Sequence, residues 1–552
     1  MKAWKLGLGF LLVAMPLCSA TLPQNSYMRA MQDEIKRSMA KLRRPGVEKP
    51  YFIAYKLEQI TQEEVAASFG ALYPTQARDS QLNAYVWVDI GSAQKDSMGF
   101  AHAAYYPPYA YRPQGAKNMP KSYSGVRQAL WQLTDAAYTF AAETYQQKQA
   151  YQRAKQTPQK DKLPDVLAAQ QATYTEEIKP FATYDWPHLQ NWVKAQSALG
   201  KELPFVEQFL VQVSPMQKDT YYVNSRGGSY QKSVRGVQVE WKAQMRSKAG
   251  FKRKYNRSVW LADFTPQEAA LAEKTTQRFL MDLQAYYASV KGENYVGPVL
   301  LTPGAAGPFI REELVKNFQN LKGLLFEGDE PDTTLGKFSV EGQRILAPGI
   351  TVWDEPHVRA RGTTPLGGFM PVDDEGVAAQ PLKLVEKGRT VQLPRTTRPL
   401  ADKKRSNGHA CATPLSMPRE CLTNVRVEPE NPLTWNTLVE RLLARCQELG
   451  LPYGYILHAW PGPDTDNQPV WERVYTDGRR EFVHGLKIDG LTTRSLRDIL
   501  AAGDEPAVSH LDQPGETGLP AQNVSAPALL LEEMELVTLD NKPEQKPFVK
   551  KP

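Results

Sequence analysis

The period of the hydrophobic positions changes several times along the 552-residue chain, and each change marks an element. From Asn25, residues Met28, Met31, Ile35, Met39 and Leu42 recur every three or four positions, the spacing of one helix face, and Pro45-Gly46 ends the run. Aromatic and β-branched stretches follow at 51–60, 65–72 and 82–90, whose partial alternation predicts antiparallel strands of one sheet. A Tyr-, Pro- and Gly-rich stretch at 105–120 predicts a loop. Beyond it Val126, Leu130, Leu133 and Ala137 open a long helix that turns polar towards Lys162, as an exposed arm or a frayed linker.

Between Tyr221 and Leu261 short apolar-polar segments are broken at Arg226-Gly227-Gly228 and Ala249-Gly250, the pattern of a meander of hairpins. Thr265-Pro266-Gln267-Glu268 is a helix start in which Thr caps, Pro takes the first turn and Glu reaches back. That helix presents Leu271, Thr275, Phe279, Leu283, Tyr286 and Val290 along its length. Past Gly292 the texture becomes short strands and Gly/Pro turns, with a long loop at 394–432, helices at 435–449 and 495–502, and strands at 453–460, 471–475, 480–486 and 528–537. The order of elements is α+β. It predicts an N-terminal sheet-plus-helices domain over 21–290, a β-rich mixed domain over 291–540 and a disordered Pro/Lys-rich tail over 541–552.

Composition changes this picture little: 41% hydrophobic and 23% charged is an ordinary globular balance, and it excludes a disordered or fibrous chain. The 67 Lys and Arg nearly cancel 60 Asp and Glu, which argues against a dedicated nucleic-acid binder. The first twenty residues change it more. Lys2 and Lys5, an apolar run over 6–17 and the small-residue end Cys18-Ser19-Ala20 form the pattern of a cleaved secretory signal, and the run is shorter than the ~20 residues a bilayer span needs. The expectation is export to a periplasmic or extracellular space with a mature chain starting near Thr21; an uncleaved or lipid anchor is the alternative. Loss of the two signal lysines takes the net charge from +7 to +5. No other segment reads as membrane-spanning.

Three further cysteines leave two readings open. Cys411 and Cys421, ten apart in a Pro-containing loop, close a disulfide and leave Cys446 free, or all three are small buried hydrophobes. The basic and aromatic residues between Trp241 and Trp260 read either as a polyanion-binding surface or as the solvated faces of strands. Seven scattered histidines include no pair three or four apart, and there is no Gly-x-Ser-x-Gly elbow, phosphate-binding Gly-Lys-Ser/Thr loop or Cys-x-x-Cys.

An ordered series of segments does resemble a known family. These are Pro50-Tyr51-Phe52-Ile53-Ala54-Tyr55, Thr134-Asp135-Ala136-Ala137-Tyr138, Tyr221-Tyr222-Val223-Asn224-Ser225-Arg226-Gly227, Gly297-Pro298-Val299-Leu300-Leu301, Val352-Trp353-Asp354-Glu355-Pro356, Val372-Asp373-Asp374-Glu375-Gly376 and Ser406-Asn407-Gly408-His409. With the strand at 526–535 they are similar to the TldD/PmbA family of metallopeptidase-related proteins, in its exported branch. Active members of that family carry His-Glu-x-x-x-His on a helix soon after the Gly-Pro-Val strand, two imidazoles holding zinc, a Glu activating its water, and a later cysteine completing the site. At the corresponding positions this chain has Arg311, Glu312 and Lys316, so the resemblance implies a member without the zinc motif.

The resemblance then implies no cofactor in this chain, with zinc expected only in an active partner. It implies pairing with a homologous zinc-containing TldD-like subunit, or self-dimerisation, around a cleft that takes extended peptide. Asp374, Glu375 and Gly376 line or support that cleft. Two alternatives stand beside it: a hydrolase that assembles His409 or His357 with Asp354, Glu355, Asp373 and Asp374, and a non-enzymatic envelope scaffold.

Overall fold

Helix α1 (Ser26–Lys41), capped by the Asn25 side chain, lies against a sheet whose spine is β1 (Pro50–Ser68). The structure, a computed structural model, describes residues 25–74, 76–101, 114–155, 163–248, 250, 252–322, 325–326, 335–412, 416–461, 469–511 and 521–539. The signal segment 1–20, the tail 541–552 and His102 lie outside the described residues. Alternation predicts two strands at 51–60 and 65–72, whereas β1 is one strand of 19 residues. It is flanked on one side by β2 (Gln76–Ser92), which absorbs the irregularity at Gln62/Glu64 as a register shift.

Helices α2 (Tyr123–Ala154) and α3 (Trp186–Ala198) cover the same sheet, and β3 (Val206–Asn224), β4 (Ser229–Arg246) and β5 (Lys252–Leu261) complete it. The principal order is β5-β4-β3-β1-β2, antiparallel throughout, with β5 at an edge. The basic segment is a set of strand faces with local partners: Lys242 pairs with Glu240, Arg246 with Glu207 and Arg257 with Asp282. Helix α4 (Pro266–Ala288) begins with the complete capping box of Thr265 and Glu268. Its buried face is Ala269, Ala272, Thr276, Phe279, Leu283 and Tyr286. Leu271 is therefore not a core residue; small alanines at 269 and 272 let α4 sit close to the sheet and turn Leu271 to solvent.

The second half contributes two more large sheets. Strand β6 (Tyr295–Leu301) runs into helix α5 (Pro303–Ile310), and β7 (Ile350–Asp354), β8 (Leu382–Glu386) and β9 (Asn424–Pro429) form neighbours of one sheet. The long loop expected at 394–432 thus ends in a strand, drawn in because β9 pairs with β7 and with a later strand. After helix α6 (Trp435–Glu448) come β10 (Tyr453–Ala459), β11 (Val470–Tyr475), β12 (Arg480–His484), β13 (Ala507–Leu511), β14 (Gln522–Ala526) and β15 (Leu529–Thr538). One sheet runs β12-β11-β10-β6-β15; the other runs β8-β7-β9-β14-β13 with β13 at an edge. The helix expected at 495–502 is a short 3₁₀ turn followed by the strand Ile499–Ala502, because pairing with β15 outweighs its local helical preference.

The principal core of the second half lies around Val299, Phe309, Leu384, Trp471 and Leu531. Its elements also reach the first sheet: Val372 and Ala412 join the core under α1 and α2, and Val470 joins the core under α4. This seam is where the polar residues singled out by the sequence collect. Among the described residues no helix is long and apolar enough to cross a membrane.

Candidate functional site

Helix α5 continues from Ile310 into a π turn (Arg311–Val315) and a 3₁₀ turn (Lys316–Phe318), and this wider winding carries the motif positions. Ala305, Ala306, Phe309, Ile310, Leu314 and Val315 are buried and fix the segment against the core. Glu312 is held from both sides. Arg311 Nη1 stands 3.2 Å from its carboxylate and Lys316 Nζ makes a short contact with the other oxygen, while Arg311 Nε also donates to Gln522 Oε1 at 3.2 Å. Each carboxylate oxygen of Glu312 thus has its own cation.

These residues do not fit a zinc ion. Zinc requires lone pairs from imidazole, thiolate or carboxylate, and guanidinium and ammonium groups offer none. Glu312 is engaged by two cations, and Cys411 and Cys421 are joined in a disulfide, so neither presents a thiolate. Cys446 is buried and free on α6. Among the described residues no group of three His, Cys, Asp or Glu is placed to hold a metal.

The turn 373–376 sits at the seam, and its side chains are bound to protein partners. Asp373 Oδ1 accepts from the amides of Glu375 (3.0 Å) and Val377 (2.8 Å), and Oδ2 accepts from Ala410 N (3.1 Å), so it shapes the turn that carries the next three residues. Burial, aided by the charge of Glu375, holds its pKa well above the usual carboxylate range. Asp374 crosses to the first sheet. It accepts from Tyr230 on β4 (2.6 Å), Lys56 on β1 (3.1 Å) and Ala412 N (2.7 Å). Burial alone would raise its pKa, but Lys56, Ala412 N–H and Tyr230 together bring it below the ordinary value.

Glu375 turns the other way, accepting from Thr397 N (2.5 Å) and Thr397 Oγ1 (2.8 Å), and burial pushes its pKa up to about 7. Gly376 has φ +82°, and a Cβ there would lie 2.5 Å from Asn224 Nδ2 and closer still to Gln171 Oε1. Asn224 in turn donates to Gln171 Oε1 (2.6 Å) and Glu375 O (3.2 Å). The Asn-Ser-x-Gly turn of the first half and the Asp-Asp-Glu-Gly turn of the second are therefore fastened backbone to side chain across the seam. Beside Asp374 a cavity of about 70 Å³ remains, lined also by Glu58, Lys218 and Lys232.

The residues of the alternative hydrolytic constellation point different ways. His357 Nε2 meets Ala379 O at 2.7 Å, and Glu355 pairs with Arg361 and, at 3.1 Å, with Arg426. His409 Nε2 does approach Asp354 Oδ2, at 3.2 Å, but off the line of a hydrogen bond. Both side chains have no solvent exposure, and Asp354 Oδ1 caps the amides of Thr423 and Asn424. The pair lies in the interior, where Asp354 ties β7 to the start of β9.

Sequence reasoning gave no role to Lys56, Tyr230 or Thr397, the three partners that hold the turn. The available signal was weak: Lys56 stands between Tyr55 and Leu57 as the first charged residue of its strand, with Glu58 close behind it. Asn224 lay in a recognised segment, yet its partner in the second half was invisible along the chain.

A family model, the PmbA/TldA metallopeptidase C-terminal domain, matches residues 294–538. No curated protein matches the chain by sequence. The fold is similar to that of a proposed modulator of a DNA gyrase from Thermotoga maritima (TM-score 0.59, 13% identity, covering 92% of this chain and 100% of that one). It is similar also to TldE from Thermococcus kodakarensis (0.59, 14%, 92% and 100%) and to a proposed modulator of DNA gyrase from Bacteroides thetaiotaomicron (0.56, 12%, 93% and 98%).

Proposed function

We propose that this chain, which belongs to the TldD/PmbA metallopeptidase-related family through residues 294–538 and has the fold of TldD/PmbA proteins, is a zinc-less, peptide-binding subunit of an exported peptidase complex. Its partner is a homologous zinc-containing subunit or a second copy of itself, and it supplies shape and peptide contacts rather than hydrolysis. One observation carries the reading: the position at which active relatives place a water-activating Glu between two metal ligands holds an Arg311–Glu312–Lys316 ion-pair cluster, with a cation in place of each ligand. Neither Arg311 nor Lys316 can ligate a metal, so Glu312 has no metal-bound water to activate, and each of its oxygens already pairs with a cation.

Two further features support the reading. The Cys411–Cys421 disulfide suits an oxidising compartment, in agreement with the secretory pattern of residues 1–20. The Asp374 side chain and the Glu375 carbonyl bind the first half, and Gly376 admits the close packing of Asn224 and Gln171, so this turn supports a cleft rather than reads its contents.

The test is cleavage of an unstructured peptide by the purified chain, alone and mixed with a homologous zinc-bearing subunit, with and without a chelator. The chain alone is inactive, and the mixture cleaves in a chelator-sensitive way. Chelator-sensitive cleavage by the chain alone, with no co-purifying subunit, overturns the proposal.

A further inference from the structure

Strands β9, β14 and β13 share a sheet face whose polar side chains stand in rows. Arg426, Ser525 and Val508 lie opposite one another in one row, and Asn424, Asn523 and His510 in the next. Side chains alternate across a strand, and Ser509 faces Gly307 of α5, so Val508 and His510 look the other way. They look over a groove of about 770 Å³, which Arg426 and Ser525 also line. The opposite wall comes from the first half, from Val259 and Trp260 of β5 and the half-exposed Leu271 of α4. The volume falls within the ~300–1,000 Å³ range of ligand-binding clefts.

The second row fixes the chemistry of His510. Asn424 Nδ2 donates to two backbone carbonyls, Glu355 O at 3.3 Å and Val358 O at 2.9 Å, and a carbonyl can only accept. Asn424 Oδ1 is then the acceptor for Asn523 Nδ2 at 2.8 Å, and Asn523 Oδ1 is the acceptor for His510 Nδ1 at 2.8 Å. The hydrogen of the neutral ring is therefore on Nδ1, and Nε2 carries a lone pair. Burial holds the pKa of His510 below its ordinary value, which favours this neutral form.

The first row favours an uncharged occupant. Arg426 gives Nε to Glu355 at 3.1 Å and Nη1 to Glu428 at 2.7 Å, and Arg361 also meets Glu355, so two guanidiniums balance two carboxylates. Among the described residues the remaining charge of the lining is Asp504, exposed where the groove meets the next pocket. What the floor offers a ligand is the Nε2 lone pair of His510 and the hydroxyls of Ser525 and Thr364, acceptors and donors without net charge. The wall across from them is apolar. A molecule that satisfies both carries hydroxyls on one side and C–H groups on the other, as a sugar ring does, and an aromatic face attracts the slightly positive C–H hydrogens.

We infer that this groove binds an uncharged oligosaccharide, with hydroxyls against His510 Nε2, Ser525 and Thr364 and the C–H side of a sugar ring against Val259, Trp260 and Leu271. The site is additional to the peptide-binding reading above and does not depend on it.

The experiment uses the full chain with maltohexaose, cellohexaose and chitohexaose as uncharged probes and a galacturonate hexamer as the anionic control, and reads binding by calorimetry and saturation-transfer NMR. The expected result is that at least one uncharged hexasaccharide binds, and binds more tightly than the anionic one. His510→Phe keeps an aromatic ring without either nitrogen and weakens binding about threefold to tenfold, the range for one lost hydrogen bond. Val508→Trp fills the groove from its floor and abolishes binding; melting curves verify that each variant folds, and either variant alone decides the location. Nitrogen-15 NMR of the unliganded chain shows the His510 hydrogen on Nδ1. Preference for the anionic hexamer, a His510 hydrogen on Nε2, binding unchanged in a folded variant, or no binding of any uncharged hexasaccharide overturns the proposal. Each of these results leaves the peptide-binding reading standing.

Discussion

Replacing Glu375 by Gln should stabilise the protein at alkaline pH and leave it nearly unchanged in acid. The carboxyl is buried and accepts two hydrogen bonds from Thr397, yet burial lifts its pKa from 4.5 to about 7. The folded state therefore holds this proton more tightly than the unfolded state. The contribution of Glu375 is most favourable below about pH 4.5, is lost as pH rises through the interval from 4.5 to 7, and is flat above that. With those two values the wild-type protein loses roughly 2–3 kcal/mol at this residue between pH 5 and pH 8.5.

Gln keeps the shape: its oxygen accepts from Thr397 N, and its amide can donate to Thr397 Oγ1. Removing the charge also relieves Asp373, whose pKa Glu375 helps to raise, so both effects have the same sign. Urea unfolding of both proteins at pH 5 and pH 8.5 gives the difference of differences, free of every other titrating group to first order. The variant should gain roughly 2–3 kcal/mol on the wild type across that interval. A gain that does not grow with pH, or a variant destabilised most at pH 8.5, would refute the placement of an uncompensated carboxyl at the seam.

Lys56→Met leaves Asp374 buried without its cation and should cost about 3–5 kcal/mol, measured by urea unfolding at pH 7; adding Asp374→Asn should recover part of the loss. Gly376→Ala forces a Cβ into the Asn224–Gln171 contact at a positive φ, and should cost at least about 1–3 kcal/mol by the same measurement. Opening the Cys411–Cys421 loop, by Cys411→Ser with Cys421→Ser, should cost about 3 kcal/mol from a sequence separation of 10, with a lower melting temperature in calorimetry.

Elements whose signal is local were legible in the sequence. The capping box at Thr265 marks the first turn of α4, and the Asn25 helix starts where its period does. Signals that depend on partners were not. The segment 495–502 reads as a helix until β15 pairs with it, and Leu271 reads as core until Ala269 and Ala272 set how closely α4 approaches the sheet. The motif positions Arg311, Glu312 and Lys316 were identifiable because their chemistry is contained within six residues. The seam was hidden, because Lys56 and Asp374 meet across 318 positions of chain and Asn224 meets Glu375 across 151.

The most direct test of the account is the zinc content of the purified, homogeneous chain, measured by native mass spectrometry after loading with excess zinc and removal of free metal. A donor set of Arg311, Lys316 and a disulfide should retain far less than one zinc per chain, and restoring His at both positions should change that only if a further ligand is supplied. One tightly held zinc per wild-type chain, lost on replacing Glu312, would contradict the assignment of this protein as a zinc-less subunit.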